Sequence, residues 1–326
     1  MINLLDDTAE RVFHDEGLKI GKIVTFNSKS KILSFPSLPH KEFYESTSNA
    51  VGRIFIKYRS KEDNDKVFWY TKTGFCIKRD TVITSCLAIE ELNFEKVYIF
   101  FGCDATVESE IDLTHLDEFG IELVSCGRAF DALFRDPIIL KGSDDHLYSW
   151  LICNDIEILQ FKGEPPIDQQ YLLPMIPTKK QTTDYYVMGY PGHIDLKQFA
   201  DLYGERSMKY GLLYVDVHNY TRGFQRKTIF IGEALTFDEK VITHQCPTFK
   251  GTAGGILADS EYDKKFIGIH IGGTKEVGNV ALSVTHPVFW HVYKTYVLDG
   301  DPQFLNENRA ELEPFLNYFK FNQIKR

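Results

Sequence analysis

Residues Pro247-Thr248-Phe249-Lys250-Gly251-Thr252-Ala253-Gly254-Gly255-Ile256-Leu257 lead to a second run, Phe266-Ile267-Gly268-Ile269-His270-Ile271-Gly272-Gly273. Glycine adopts backbone angles closed to other residues, so a loop holding Gly251, Gly254 and Gly255 can make turns that other residues cannot. At the centre of that loop stands Ala253, a bare methyl group. Thr248 and His270 supply a hydroxyl and an imidazole N–H, groups that would satisfy a buried amide or carboxylate. Gly268-Ile269-His270 can equally be an ordinary strand with a hydrogen-bonded core histidine.

The same texture extends on both sides. Tyr185 to Met188, Leu212 to Val217, Ile229 to Glu233, Gly255 to Ala258, Phe266 to Ile271 and Val280 to Ser283 are predicted strands divided by Gly, Asp and Asn turns. An earlier set, Ala50 to Tyr58, Val67 to Tyr70, Gly74 to Ile77, Thr81 to Thr84 and Lys96 to Phe101, reads as a separate meander. Between the sets, Pro165, Pro166, Pro174 and Pro177 disfavour regular pairing and mark a connector from Phe161 to Lys180. An all-β chain of two barrels is expected, with an N-terminal extension (1–45), a first barrel (46–165), a second barrel (166–295) and a C-terminal helical tail (296–326). Leu4 to Leu18 and Pro302 to Phe321 have helix-like apolar spacing and should pack on the barrels, although Phe319 and Phe321 beside Lys320 make the tail a candidate partner surface.

Composition narrows the function. The 326 residues are 43% hydrophobic and 14% aromatic, enough for a full core. Against 37 Lys and Arg stand 46 Asp and Glu, and the net charge of −9 disfavours nucleic acid and anionic lipid as partners. No apolar run approaches the ~20 residues of a bilayer helix, and Asp6 and Asp7 fall where a signal peptide would be apolar, so a cytoplasmic or nuclear location is expected. Six cysteines without a C-x-x-C pair read as buried thiols. Histidine spacings suit no metal and no glycine-rich phosphate loop occurs, so no cofactor is expected.

The loop and strand quoted at the outset resemble the nucleophile segment of chymotrypsin-like proteases, which reads G-x-S-G-G or G-x-C-G-G. The order P-T-x-x-G-x-A-G-G, then G-I-H-x-G-G, is similar to the picornaviral processing type, whose Thr and His recognise a Gln or Glu side chain. Three more segments follow the family order. Gly74-Phe75-Cys76-Ile77 with Val82 to Leu87 resembles the G-F-x-I … V-L-T-x-x-H segment, Asn154 to Leu159 resembles N-D-I-A-L-L, and Val187 to Pro191 resembles V-x-G-Y-P. The resemblance spans about residues 46 to 295 and implies a two-barrel, chymotrypsin-like fold with a cleft between the barrels. It implies that Gly251, Thr252 and Gly254 form the oxyanion loop and that Thr248, His270 and Gly272 contact a bound peptide. It aligns Leu87 with the general base, Asp155 with the acid that orients that base, and Ala253 with the nucleophile.

Leucine accepts no proton and alanine attacks nothing, so Asp155 alone keeps its triad chemistry, with a turn-capping role left to it. Cys86 neighbours Leu87 but would point to the opposite face of a strand and is read as core. A deliberate knockout gains nothing from losing base and nucleophile together, so the chain reads as a degenerate protease, a pseudoprotease, that binds protein or extended peptide in the cleft. The competing reading is an active cysteine or serine endopeptidase cleaving after Gln or Glu, with Ala253 replacing its nucleophile and a base from elsewhere, His115 or His146 being the candidates. A third is a scaffold that works through its tail and ignores the cleft.

Overall fold

The computed structural model describes residues 23–25, 40–60, 67–85, 92–102, 120–128, 138–140, 150–152, 156–178, 184–192, 226–249, 251–274 and 278–323. The first half runs β1 (Ile23–Thr25), helix α1 (Lys41–Ser48), β2 (Val51–Ser60), β3 (Val67–Lys78), β4 (Thr81–Ser85), β5 (Leu92–Phe100), β6 (Ile121–Arg128), β7 (Ile138–Leu140), β8 (Trp150–Ile152) and β9 (Ile156–Phe161). The second runs β10 (Leu173–Pro174), β11 (Tyr185–Gly189), β12 (Thr228–Gly232), β13 (Ala234–Phe237), β14 (Val241–His244), β15 (Ile256–Asp259), β16 (Lys265–Phe266), β17 (Gly268–Thr274) and β18 (Gly278–Ser283). Helices α2 (Pro287–Tyr293), α3 (Pro302–Glu307) and α4 (Arg309–Gln323) close the chain.

Strands in the order β2-β3-β4-β9-β6-β5 close into a barrel. Apolar residues from neighbouring strands are set side by side by the pairing: Ile54 faces Ile99, Ile56 faces Val97, and Val82 faces Leu159, all fully buried. Gly74 belongs to this interior, because a Cβ there would lie 2.4 Å from Ile54 Cδ1. Bulges between Lys57 and Tyr58, Cys76 and Lys78, and Ser125 and Gly127 supply the extra twist that closure needs. The two strands expected at Val67–Tyr70 and Gly74–Ile77 are one. Polar Thr71, Lys72 and Thr73 interrupt the apolar pattern, but their backbones stay paired with β2.

The second half forms an eight-stranded sheet, β1-β12-β11-β15-β17-β18-β14-β13. Only Glu233 separates β12 from β13, yet these strands lie near opposite ends of that order, so the sheet must roll up until its ends meet. Gln245 N–H donates to Glu233 O across the meeting point. One face carries Ile229, Met188, Ile256, Ile269 and Leu282 in register across five strands and joins the core shared with the first barrel. The opposite, equally buried face carries Phe230, Ile242, His270 and Ala281. The chain thus has the two-barrel, all-β architecture that the resemblance implies. Residues 23–25, expected in an extension, add the edge strand β1 to the second sheet. The proline-rich connector is stitched down by a short parallel pairing of β10 with β16. The predicted elements at Leu4–Leu18 and Leu212–Val217 lie outside the described residues.

The tail is part of the core. Phe319 stacks on Trp290 at 4.4 Å, Trp290 meets Phe315, and Phe315 meets Phe289 at 6.1 Å. Phe289 in turn touches Phe266 at 5.8 Å, and Phe266 touches Phe75 of β3 at 4.9 Å. This file of rings runs from α4 to the first barrel, so the tail helix packs on the barrels as its spacing predicts, and of the two phenylalanines offered as a partner surface Phe319 is covered while Phe321 is 68% exposed.

Asp301 fastens the tail at its root. Its carboxylate accepts from Phe304 N–H at 2.9 Å as the N-cap of α3 and pairs with Lys78 Nζ at 3.2 Å. The Phe304 N–H, aided by Lys78, holds this carboxyl below its ordinary 3.8. Replacing Asp301 with Ala should cost about 1 kcal/mol. Because the folded value is depressed, that contribution is whole above pH 3.8 and is lost as pH falls through the lower folded value. Urea midpoints of wild type and Asp301→Ala should therefore converge in acid.

Candidate functional site

The glycine loop is clamped between the two barrels. Gly251 (φ 94°) and Gly254 (φ 87°) occupy the left-handed region, where other residues are strained. Space is as restrictive: a Cβ on Gly254 would lie 2.1 Å from Thr73 O and 2.4 Å from Thr84 Oγ1, and one on Gly251 would lie 2.3 Å from Gly192 N.

Thr73, on β3 of the first barrel, makes most of the clamp. Its N–H donates to Ala253 O at 3.1 Å, and its hydroxyl donates to Gly251 O at 3.2 Å while accepting from Tyr190 N–H at 2.9 Å. Its carbonyl accepts from the Thr84 hydroxyl at 2.7 Å. Tyr190 and Gly251 belong to the second half, so a single buried side chain bonds across the divide in both directions.

Within the loop, Thr252 N–H donates to Phe249 O, Gly255 N–H to Thr252 O, and Gly254 N–H to His270 O. Among the described residues, the N–H groups of Gly251 and Ala253 have no acceptor. Residue 253 itself carries only a methyl group.

Thr248 and His270 share one buried network with two residues that the sequence reading passed over. Asn279 donates its amide hydrogens to Cys246 O at 2.6 Å and Thr248 Oγ1 at 2.9 Å. His244 Nε2 lies 3.2 Å from His270 Nδ1, and His244 Nδ1 accepts from Cys246 N–H at 3.3 Å. His244 pairs with Asn279 between β14 and β18, which places the four side chains on the same face. Burial, with His270 close by, pushes the His244 imidazole well below its ordinary 6.5. His270 is thus a buried, hydrogen-bonded histidine, the alternative that the sequence left open, and it is joined to Thr248 through His244, the Cys246 backbone and Asn279.

Gly272 follows a bulge in β17, and beyond Ile269 no described strand pairs with β17 on its β15 side. Among the described residues, none pairs with residues 271–274 on that side, and residues 271–273 are buried. Leu87, Cys86, Asp155, His115 and His146 lie outside the described residues. Described chain comes close to the loop nonetheless: Ser85 pairs with Ile156, and Ser85 N is 3.0 Å from where a Gly254 Cβ would stand. A cavity of about 600 Å³ lined by Asn49, Phe100, Asp168, Gln170 and Lys264 shares no residue with the loop or the histidine pair.

Strand order and loop position define a chymotrypsin-like fold. No family model and no curated protein matches the sequence. Among solved structures, the chain is similar to the inactive form of the Rv3671c protease, with 17% identity over 80% of this chain and 96% of that one (TM-score 0.41), and its active form is from M. tuberculosis. It is similar to a Glu endopeptidase with 13% identity over 75% and 88% of the two chains (TM-score 0.44), and to Deg5 with 15% identity over 78% and 93% (TM-score 0.42). The fold assignment rests on the strand order itself.

Two substitutions test the clamp. Thr73→Val strands Tyr190 N–H and Gly251 O and should cost about 2 kcal/mol. Gly254→Ala adds left-handed strain and a backbone clash and should cost more, about 3 kcal/mol or above. Denaturant unfolding checks both values.

Proposed function

We propose that the protein is a catalytically silent chymotrypsin-like protein, a pseudoprotease, that binds an extended polypeptide across the cleft between its barrels. The observation that carries this reading is the preserved loop: Gly251 and Ala253 keep their N–H groups for a ligand oxygen, while residue 253 offers only a methyl. Acyl transfer needs an attacking atom and a proton acceptor, and the family alignment gives Ala253 and Leu87 for these positions. Peptide binding needs neither. A strand laid along residues 271–274 would gain main-chain hydrogen bonds, and a Gln or Glu side chain would reach toward Thr248 and His270.

Calorimetry with an extended peptide carrying a central Gln tests this reading. Binding should weaken about tenfold in His270→Ala, which removes one hydrogen bond to the ligand, and should vanish in Gly272→Trp, which fills the strand site. Equal affinity in both variants would remove the cleft from the account. Ala253→Ser and Ala253→Cys should leave a Gln peptide uncut, and turnover by either would instead support an endopeptidase with an altered nucleophile.

A further inference from the structure

The cavity of about 600 Å³ beside α1 lies apart from the glycine loop and the histidine pair, and hydrogen bonds hold its polar groups in place. Gln169, only 9% exposed, donates from its amide nitrogen to Gln170 O at 2.9 Å and to Asn49 O at 3.3 Å. Carbonyl oxygens cannot donate, so the nitrogen must stand on their side and Oε1 on the other. Among the described residues, nothing donates to that Oε1. Asn49 is placed similarly: its amide nitrogen donates to Glu45 O at 3.4 Å, and its Oδ1 accepts from no described group. The carboxylate of Asp168, an exposed residue of the cavity lining, has no described cation or donor as partner.

Lys264 supplies the opposite charge. Its ammonium donates to Gln170 Oε1 at 2.9 Å, and that neutral amide is its one side-chain partner among the described residues. Its backbone sits at φ 52°, a left-handed angle that strains a lysine and would suit glycine. The surrounding chain holds it there, since Lys264 O accepts from Leu173 N–H at 3.0 Å where β10 pairs with β16. Phe100, Phe101 and Ile121 give the cavity an apolar wall.

We propose that this cavity is a ligand site separate from the cleft, and that it takes a small zwitterion with an apolar side chain, an α-amino acid or a dipeptide. The ligand carboxylate meets Lys264, its ammonium meets Asp168 and the amide oxygens of Asn49 and Gln169, and its side chain covers the apolar wall. An acceptor shut away without a donor costs free energy, and an ammonium has several hydrogens to give. A simple anion would satisfy Lys264 but repel Asp168 and leave both amide oxygens unmatched. A simple amine fails in the reverse sense. The volume lies within the ~300 to 1,000 Å³ usual for small-molecule sites. This site does not depend on the cleft-binding reading.

The test uses the full-length protein with two probes, phenylalanine and alanyl-phenylalanine, followed by calorimetry and saturation-transfer NMR. At least one should bind, and which binds more tightly separates a free amino acid from a peptide as the ligand. Acetylating the amine or amidating the carboxylate of the bound probe should each weaken binding about tenfold or more. Asp168→Asn, a change at an exposed residue, should weaken it about tenfold. Lys264→Gly removes the ammonium and suits the left-handed backbone, so it should abolish binding in a protein that remains folded. If that variant does not fold, Asp168→Asn and the capped probes decide. Binding by neither probe overturns the proposal. Equal affinity for capped and uncapped probes, or binding that survives both substitutions, overturns it too, because such binding would lie outside this cavity.

Discussion

The clamp formed by Thr73 is the constraint on which the rest of the site depends. A loop rich in glycine has many conformations, and in an isolated chain nothing would select the one seen here. The first barrel selects it. Thr73 N–H on Ala253 O, the Thr73 hydroxyl on Gly251 O, and Thr73 O crowding Gly254 together hold the loop in its conformation. The shape of the glycine loop is thereby a property of the contact between barrels, independent of what atom the residue 253 side chain carries.

The contact has other supports that differ in kind. Lys227, fully buried at the start of the second sheet, reaches Ser48 O at 2.6 Å and Phe101 O at 3.2 Å, with its ammonium 5.6 Å from the Tyr190 ring. An ammonium removed from water requires such acceptors. The aromatic file from Phe319 to Phe75 adds non-directional burial on the other side, and Asp301 with Lys78 pins the tail that carries it. Directional bonds therefore set the register of the two halves, while ring packing supplies area removed from water.

Much of this was legible in the residues. The β-rich apolar runs of β2, β4 and β12, the glycines of the loop and the apolar spacing of α4 are local signals, each written within a few neighbouring positions. The site was half legible. Gly251, Gly254, Thr248 and His270 stood out by spacing, but Thr73, His244 and Asn279 did not, because a lone threonine in a strand, a histidine at a strand end and an asparagine near a turn have no local pattern. The continuity of β3 escapes a local reading for a related reason: its polar centre looks like a break until β2 is alongside.

By itself the sequence determined which segments are strands, where the backbone needs glycine, and that position 253 bears no attacking atom, since these follow from the chemistry of adjacent residues. Only the tertiary structure decided that the tail is core, that β1 joins the second sheet, and that a threonine of one barrel shapes a loop of the other. Such features depend on pairs of residues far apart along the chain, such as Thr73 with Gly251 and Phe319 with Trp290, and whether distant groups meet is settled by how the sheets roll and pack, a quantity no short window of residues contains.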